Sequence, residues 1–300
     1  MELKKLYDSE NGPMRLAIFM SGSGSNARKI IEKYFSQVTG PFGLSTPSFE
    51  PVLMFTDNPL SKAYEIANAL EIPIFCNSIR GFYKRHNRDL KDMEIRAKYD
   101  SQQADLLRSF CVDAVALAGY DWVVTPSICD NFVVENVHPA DLRVKDSEGN
   151  RSYIGLAWVP SAKAILRKEP RVYTSVHLVT SRLDGGPLLA VSAPQPVPEE
   201  ALSLERKVLL GEADSLKDVM LFVKQNPNMP DEEIARRFPI YGFARDCQER
   251  LKVHGDWVEF PEVIANISLG RYQKDKKGGL YFDGNPIPNG VIRRTCNQWL

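Results

Sequence analysis

Two short segments far apart in the chain carry residue types that together could move an acyl group. Glu135-Asn136-Val137-His138-Pro139 follows the apolar run Phe132-Val133-Val134, which reads as a buried strand. The two-residue period of a strand then sets the Asn136 and His138 side chains on one face. Leu183-Asp184-Gly185-Gly186-Pro187 follows a second strand-like run over 172–180, in a turn whose glycines relax the backbone enough to point a carboxylate inward. An amide and an imidazole can hold a developing oxyanion, and a carboxylate can orient the imidazole and help remove an amine proton. Asn136, His138 and Asp184 are therefore the candidate catalytic residues, for acyl transfer with no covalent enzyme intermediate.

A third segment offers binding rather than chemistry. Ser21-Gly22-Ser23-Gly24-Ser25-Asn26 joins a strand pattern to a helix pattern, so its glycines would let the backbone approach an anion and the helix-start amides would cradle a phosphate. A tight strand-to-helix turn with a Ser or Asn cap and no ligand is the plainer reading. Gly22, Gly24 and Ala27 also fit the dinucleotide fingerprint, which suggests a nicotinamide-dependent dehydrogenase. That fingerprint wants an acidic residue roughly 20 positions on, whereas Asp57 follows Gly22 by about 35. The hydroxyl-rich loop favours a monophosphate.

The other histidines are His86, His177 and His254. His177 lies in Val176-His177-Leu178-Val179 and is expected to support the site from behind. No HxxxH or HxxE spacing involves His138, so no metal is expected.

The elements that must position these residues follow from periodicity. Arg15-Leu16-Ala17-Ile18-Phe19-Met20 reads as a buried parallel strand, and Ala27, Ile30, Ile31 and Tyr34 fall at helical spacing after it. A loop follows over 40–48, then strand 51–56, helix 62–70, strand 73–76, a charged helix over 93–110 and strand 114–117. Alternating strands and helices predict an α/β fold with a doubly wound, Rossmann-like, mostly parallel sheet, its active site at the carboxyl ends of the strands. Residues 1–13 read as an N-terminal extension, with order starting at Met14, and 14–198 as the core. Residues 199–247 read as a helical insertion in which Leu216, Val219, Met220 and Val223 share a face, and 248–300 as the rest of the main domain.

Composition narrows the class. Lys plus Arg and Asp plus Glu both total 38, for zero formal net charge, which argues against nucleic-acid or membrane-surface binding. The stretch Asp231-Glu232-Glu233-Ile234-Ala235-Arg236-Arg237-Phe238 loosely suggests a helix-turn-helix start, but with no basic recognition helix after it a surface helix is the better account. Five scattered cysteines without a CxxC spacing fit a reducing compartment. With no signal-like start and no long apolar span, a cytoplasmic protein is expected.

Residues 14–26, 112–126, 136–139 and 173–187, in that order, resemble the phosphoribosylglycinamide formyltransferase family. The likeness covers about 14–198 and resumes near 256–261 and 280–290. The resemblance implies the formyltransferase fold and transfer of the formyl group of 10-formyltetrahydrofolate to the amine of glycinamide ribonucleotide in purine biosynthesis, without a metal. It gives Asn136 and His138 the oxyanion, and Asp184 the orientation of His138 and of a proton-relaying water. Gly22, Ser23, Gly24, Ser25 and Asn26 would take the ribonucleotide phosphate. Arg96 matches an active-site arginine, Tyr120, Asp121, Trp122, Val123 and Val124 match the stretch that reads the pterin of folate, and Asp256 stands where a glutamate holds the ribose hydroxyls.

Several positions depart from the family. The chain reads His138-Pro139-Ala140-Asp141-Leu142-Arg143 and then a polar loop over 144–152, in place of a Ser-Leu-Leu-Pro-like run, and Asp121-Trp122 replaces the usual Met-Arg. Which amine accepts the formyl group is left open. A formyltetrahydrofolate hydrolase, an N-formyltransferase on an amino sugar or aminoacyl group, and a non-catalytic folate or nucleotide binder stand as alternatives. The ligands implied are small molecules, with a homodimer left open.

Overall fold

The apolar run after Pro13 forms the strand Met14–Phe19, fully buried at every residue but Arg15. A strand covered on both faces belongs in the middle of a parallel sheet. It pairs in parallel with Phe49–Thr56 on one side and Ala114–Leu117 on the other. Ile74–Cys76 and Val133–His138 extend the sheet outward from these, again in parallel. Seven strands of this sheet run in the order Leu188–Val191, Ser175–Leu178, Val133–His138, Ala114–Leu117, Met14–Phe19, Phe49–Thr56, Ile74–Cys76. The expected α/β architecture is present.

The order of the parallel strands reverses at Met14–Phe19: the chain first winds toward Ile74–Cys76, then returns to Ala114–Leu117 on the other side. Two connections therefore leave the sheet in opposite directions at the carboxyl ends of neighbouring strands, and the crevice so made is where such folds bind ligands. The two connections here are residues 20–24 and 118–125.

The structure is a computed structural model that describes residues 2–39, 46–295 and 298–299. Of the loop expected over 40–48, residues 40–45 lie outside the described residues, as does Cys296. Cys76, Cys111, Cys129 and Cys247 are free thiols. No helix among the described residues is long and apolar enough to cross a membrane.

The chain divides into two compact units: Met1–Val137 with Val176–Ala190 and Trp257–Val291, and His138–Ser175 with Val191–Asp256 and Ile292–Leu300. In the first, Ala17, Phe19, Leu53, Phe55, Val115 and Leu117 pack with Phe82, Tyr99 and Leu107 in one core. The helix Ser25–Val38 buries Ala27, Ile30 and Ile31. Met93–Ser109 starts at Asp92, whose carboxylate accepts the Glu94 and Ile95 amides, an ordinary N-cap.

Order in this unit starts before Met14, the boundary expected from the polar composition of residues 1–13. Lys4–Lys5 pairs antiparallel with Tyr272–Lys274, the Leu6 amide donates to the Tyr272 carbonyl, and Tyr7 is buried with its hydroxyl on Gly12 O at 2.9 Å. A two-residue strand carries no alternation to read, and its pairing lies far away in sequence.

The second unit has its own core. Ala140, Tyr153, Trp158, Ala162 and Ile165 share it with Leu209, Val219, Ile234, Phe238, Ile240, Ala244 and Leu251. The helices of 199–247 thus pack on the stretch that follows His138, with Trp158 edge-on to Tyr241 at 5.1 Å. In Leu216–Gln225, opened by a Ser215–Asp218 capping box, Val219 is buried but Met220 is 40% exposed. Phe222, edge-on to Phe238, takes the inward place that the spacing assigned to Met220.

Candidate active site

In the first unit, the Ser21–Gly24 loop is braced from two sides. The Ser21 amide donates to Gly119 O at 2.8 Å, and Gly22 O accepts from the Lys62 amide and the Ser61 hydroxyl. Asn58 Nδ2 donates to Ser21 O at 2.9 Å. Gly24 caps the helix Ser25–Val38 at φ +72 with no side-chain cap, so the first amides of that helix keep no intrahelical partner. A Cβ at Gly24 would meet Ile66 Cδ1 at 2.5 Å and Met20 Cε at 2.7 Å, whereas one at Gly22 would meet nothing within 4 Å. Gly24 is required by its left-handed backbone, which side chains rarely adopt; Gly22 faces open space. Ser23 is exposed, Ser25 begins the helix, and Asn26 has its Oδ1 buried with no hydrogen-bond partner. Donors at a helix start and the positive end of its dipole fit an anion.

Asp57 does not stand free as a ribose ligand, as the dinucleotide reading needs. Its Oδ1 accepts the Ser21 hydroxyl at 2.5 Å and its Oδ2 the Trp122 indole N–H at 2.7 Å.

The 118–125 turn is spent largely on structure. Ala118 N–H donates to Phe19 O, and Gly119 takes φ +86. Tyr120 is buried edge-on to Phe19 at 5.5 Å, with burial pushing its phenol well up. Asp121 is exposed, with its carboxyl raised by partial burial and by Asp57. Val123 O accepts Arg96 Nη1 at 3.1 Å, and Val124 lies in the core. Arg96, only 3% exposed, sets its guanidinium 4.8 Å from the Trp122 ring and 5.4 Å from the Tyr83 ring, within the range of cation–π attraction. Asp100, one helical turn on, accepts the Thr125 amide at 2.6 Å. Burial lifts its carboxyl to about 6 against the pull of that amide and of Arg96. The structure thus gathers Arg96, Trp122 and Val123 into one cluster.

On Val133–His138, Asn136 is half-buried opposite Leu117. His177 is 2% exposed, and its Nδ1–H donates to Leu178 O at 2.8 Å, so the neutral ring keeps its lone pair on Nε2. Asp184 Oδ1 lies 3.7 Å from that Nε2. Asp184 holds φ +48 and is 8% exposed, turned inward as the Asp-Gly-Gly sequence suggests. The second glycine is obligatory, because a Cβ on Gly186 would sit 1.7 Å from Leu178 O.

The second unit holds His138, 4% exposed, with Nε2 at 2.8 Å from Tyr153 O. A carbonyl only accepts, so Nε2 carries a proton. Tyr153 in turn donates its hydroxyl to Glu169 Oε1 at 2.7 Å. Ala140 O accepts the Ser175 hydroxyl, which also takes the Leu142 amide, fixing the chain just beyond Pro139. Asp256 ends a π-helical turn, Lys252–Asp256, a distortion common where function re-aims a side chain. Its Oδ1 accepts the Thr174 hydroxyl at 2.7 Å, and Gly255 is needed because a Cβ there would lie 2.3 Å from that hydroxyl.

Sequence reasoning passed over Tyr153 and Thr174, and weighed Asp57 only as the acidic partner of a dinucleotide. Nothing in Asp57-Asn58-Pro59 shows its link to Ser21 and Trp122, and the Tyr153 contribution is a backbone carbonyl that residue type cannot reveal. Among the described residues no three potential ligands are grouped to hold a metal ion.

A family model described as "Formyl transferase" matches residues 14–219. The chain is 30% identical over 204 residues to "Phosphoribosylglycinamide formyltransferase, chloroplastic" of Arabidopsis thaliana, covering 65% of this chain and 60% of that protein's length. Among solved structures, glycinamide ribonucleotide transformylase 1 from Symbiobacterium toebii superposes with a TM-score of 0.60 at 18% identity, over 90% of this chain and 94% of that one. A formyltetrahydrofolate deformylase from Pseudomonas syringae pv. tomato gives 0.55 at 15% identity, over 92% of this chain and 67% of that one. At these identities the solved structures speak to the fold alone.

Proposed function

Because the chain belongs to the formyl transferase family, we propose that it transfers the formyl group of 10-formyltetrahydrofolate to the amine of glycinamide ribonucleotide, a step of purine biosynthesis. The observation that carries the ribonucleotide is the loop at the start of Ser25–Val38: Gly22 faces open space and the first amides of that helix have no side-chain cap. The curated name of the Arabidopsis relative supports the same acceptor.

The folate supplies the formyl carbon. The acceptor amine attacks it, a new C–N bond forms, the bond to the folate nitrogen breaks, and the amine proton passes to that nitrogen. The loop amides and Gly22, Ser23, Gly24, Ser25 and Asn26 would anchor the phosphate. Arg96 and the 120–124 stretch would seat the folate, and Asp256, held by Thr174, the ribose hydroxyls. Asn136 would donate its amide N–H to the oxyanion of the tetrahedral intermediate. His138, its Nε2–H held by Tyr153, would stabilise the same oxyanion. Asp184 would take up the amine proton by way of water.

The test is tetrahydrofolate release from 10-formyltetrahydrofolate with and without glycinamide ribonucleotide. Release that needs the ribonucleotide supports the proposal. Release without it points to a hydrolase, and no release under either condition refutes both.

A further inference from the structure

Asp57 is used by none of the steps above, yet it joins three segments of the first unit. It follows the strand Phe49–Thr56, is 8% exposed, and has each carboxylate oxygen engaged. Oδ1 takes the hydroxyl proton of Ser21, at the foot of the anion loop, and Oδ2 takes the indole proton of Trp122. The Ser21 oxygen also accepts the Asp121 amide at 3.2 Å, which closes a ring from loop to carboxylate to turn. Ser21 therefore has no proton left for a phosphate; its hydroxyl holds the loop in place.

Trp122 is held along its other features as well. The Arg96 guanidinium lies 4.8 Å from its ring centre and that of Arg80 5.7 Å. A carboxylate is acceptor-only, so two donors from different segments fix its plane, and such charge-assisted bonds are about twice as strong as neutral ones. An amide at this position would keep one acceptor and turn the other oxygen into a donor facing a donor.

We propose that Asp57 is a positioning residue whose carboxylate clamps Ser21 to the Trp122 indole, so that the anion loop and the 118–125 turn take up their ligands as one unit. This rests on the loop and turn being the phosphate and folate sites, and it adds that neither is independent of the other. Trp122 is then matched to Asp57: the indole supplies the N–H for the carboxylate oxygen that Ser21 leaves open.

The test uses ribose 5-phosphate and 5-formyltetrahydrofolate as separate probes, each titrated by calorimetry into the whole protein. Trp122→Phe keeps an aromatic ring but removes the N–H, and should weaken ribose 5-phosphate binding about tenfold although Trp122 is outside the loop. Ser21→Ala should weaken 5-formyltetrahydrofolate binding by a similar factor. Asp57→Asn should weaken both, and Asp57→Asn with Trp122→Phe should be no worse for ribose 5-phosphate than Asp57→Asn alone, because partners in one network are not additive. A purely structural defect would lower the melting temperature without this crossed pattern, and Trp122→Phe and Ser21→Ala give the answer should Asp57→Asn not fold. Wild-type affinity of Trp122→Phe for ribose 5-phosphate, or additive losses in the double variant, overturns the clamp. Absence of ribose 5-phosphate binding by the wild type overturns the anion-loop assignment itself, and the clamp with it.

Discussion

Replacing Glu135 with leucine is expected to stabilise the protein, increasingly so as the pH rises. Glu135 lies on Val133–His138 opposite Ala116, is wholly buried, and neither carboxyl oxygen has a hydrogen-bond partner. Burial alone pushes its carboxyl well above the usual range, opposed only by its own backbone. An unsatisfied buried polar group costs about 1–3 kcal/mol, and leucine is close enough in volume to fill the space without overpacking. That is the gain expected where the carboxyl is neutral in both folded and unfolded chains.

Above the ordinary glutamate range the unfolded chain loses the proton while the folded chain keeps it. The folded state then binds more protons, and stability falls by about 1.4 kcal/mol per pH unit until the folded carboxyl also titrates. Urea unfolding at pH 5, 6 and 7, followed by circular dichroism and by tryptophan fluorescence, measures both effects. Glu135→Leu should remove this slope and add the constant gain, while Glu135→Gln should remove the slope with little gain. The Asn136 side chain points to the other face of the strand, so turnover should stay within a few-fold of wild type. A slope unchanged in both variants, or a Glu135→Leu protein less stable than Glu135→Gln, would refute the reasoning.

Asn136→Ala, His138→Ala and Asp184→Ala should each fold, and the two oxyanion donors should each lose about 10²–10³ in kcat; near-wild-type turnover of His138→Ala in a steady-state assay contradicts its role. Gly24→Ala should destabilise by about 1–3 kcal/mol, since φ +72 and the contact with Ile66 both oppose a Cβ, whereas Gly22→Ala should melt like the wild type and differ only in ribose 5-phosphate affinity by calorimetry. Asp100, raised to about 6 by burial, should make stability decline as the pH rises from about 4 to about 6. In Asp100→Asn that share of the decline should be missing from a urea series at pH 4, 5 and 6.

The sheet strands were legible because a strand buried on both faces is an unbroken apolar run, as in 16–20, and Ala27, Ile30 and Ile31 announce the first helix by spacing alone. The inward Asp184 was legible from its glycines, though not the reason for Gly186, which is the approach of Leu178 O. What residue type could not show is which polar groups answer one another across long stretches of chain. Ser21, Asp57 and Trp122 are unremarkable separately, and Glu135 in a polar-looking segment gives no sign that its carboxyl is sealed from water. The His138 ring was picked out by its neighbours in sequence, but its protonated nitrogen is fixed by a carbonyl just past a loop read only as polar.

The pairing of Lys4–Lys5 with Tyr272–Lys274 has a practical side. The sheet of Lys4–Lys5, Tyr272–Lys274, Leu280–Phe282 and Asn285–Pro286 ends on one side at these few residues. A protein trimmed to Met14, as composition alone would recommend for expression, would bare the amides and carbonyls of Tyr272–Lys274 as a raw edge. Exposed edges of this kind recruit strands from other molecules. Such a trimmed protein would therefore be prone to self-association through a surface remote from its chemistry, and a short tail that looks dispensable serves as the guard on that edge.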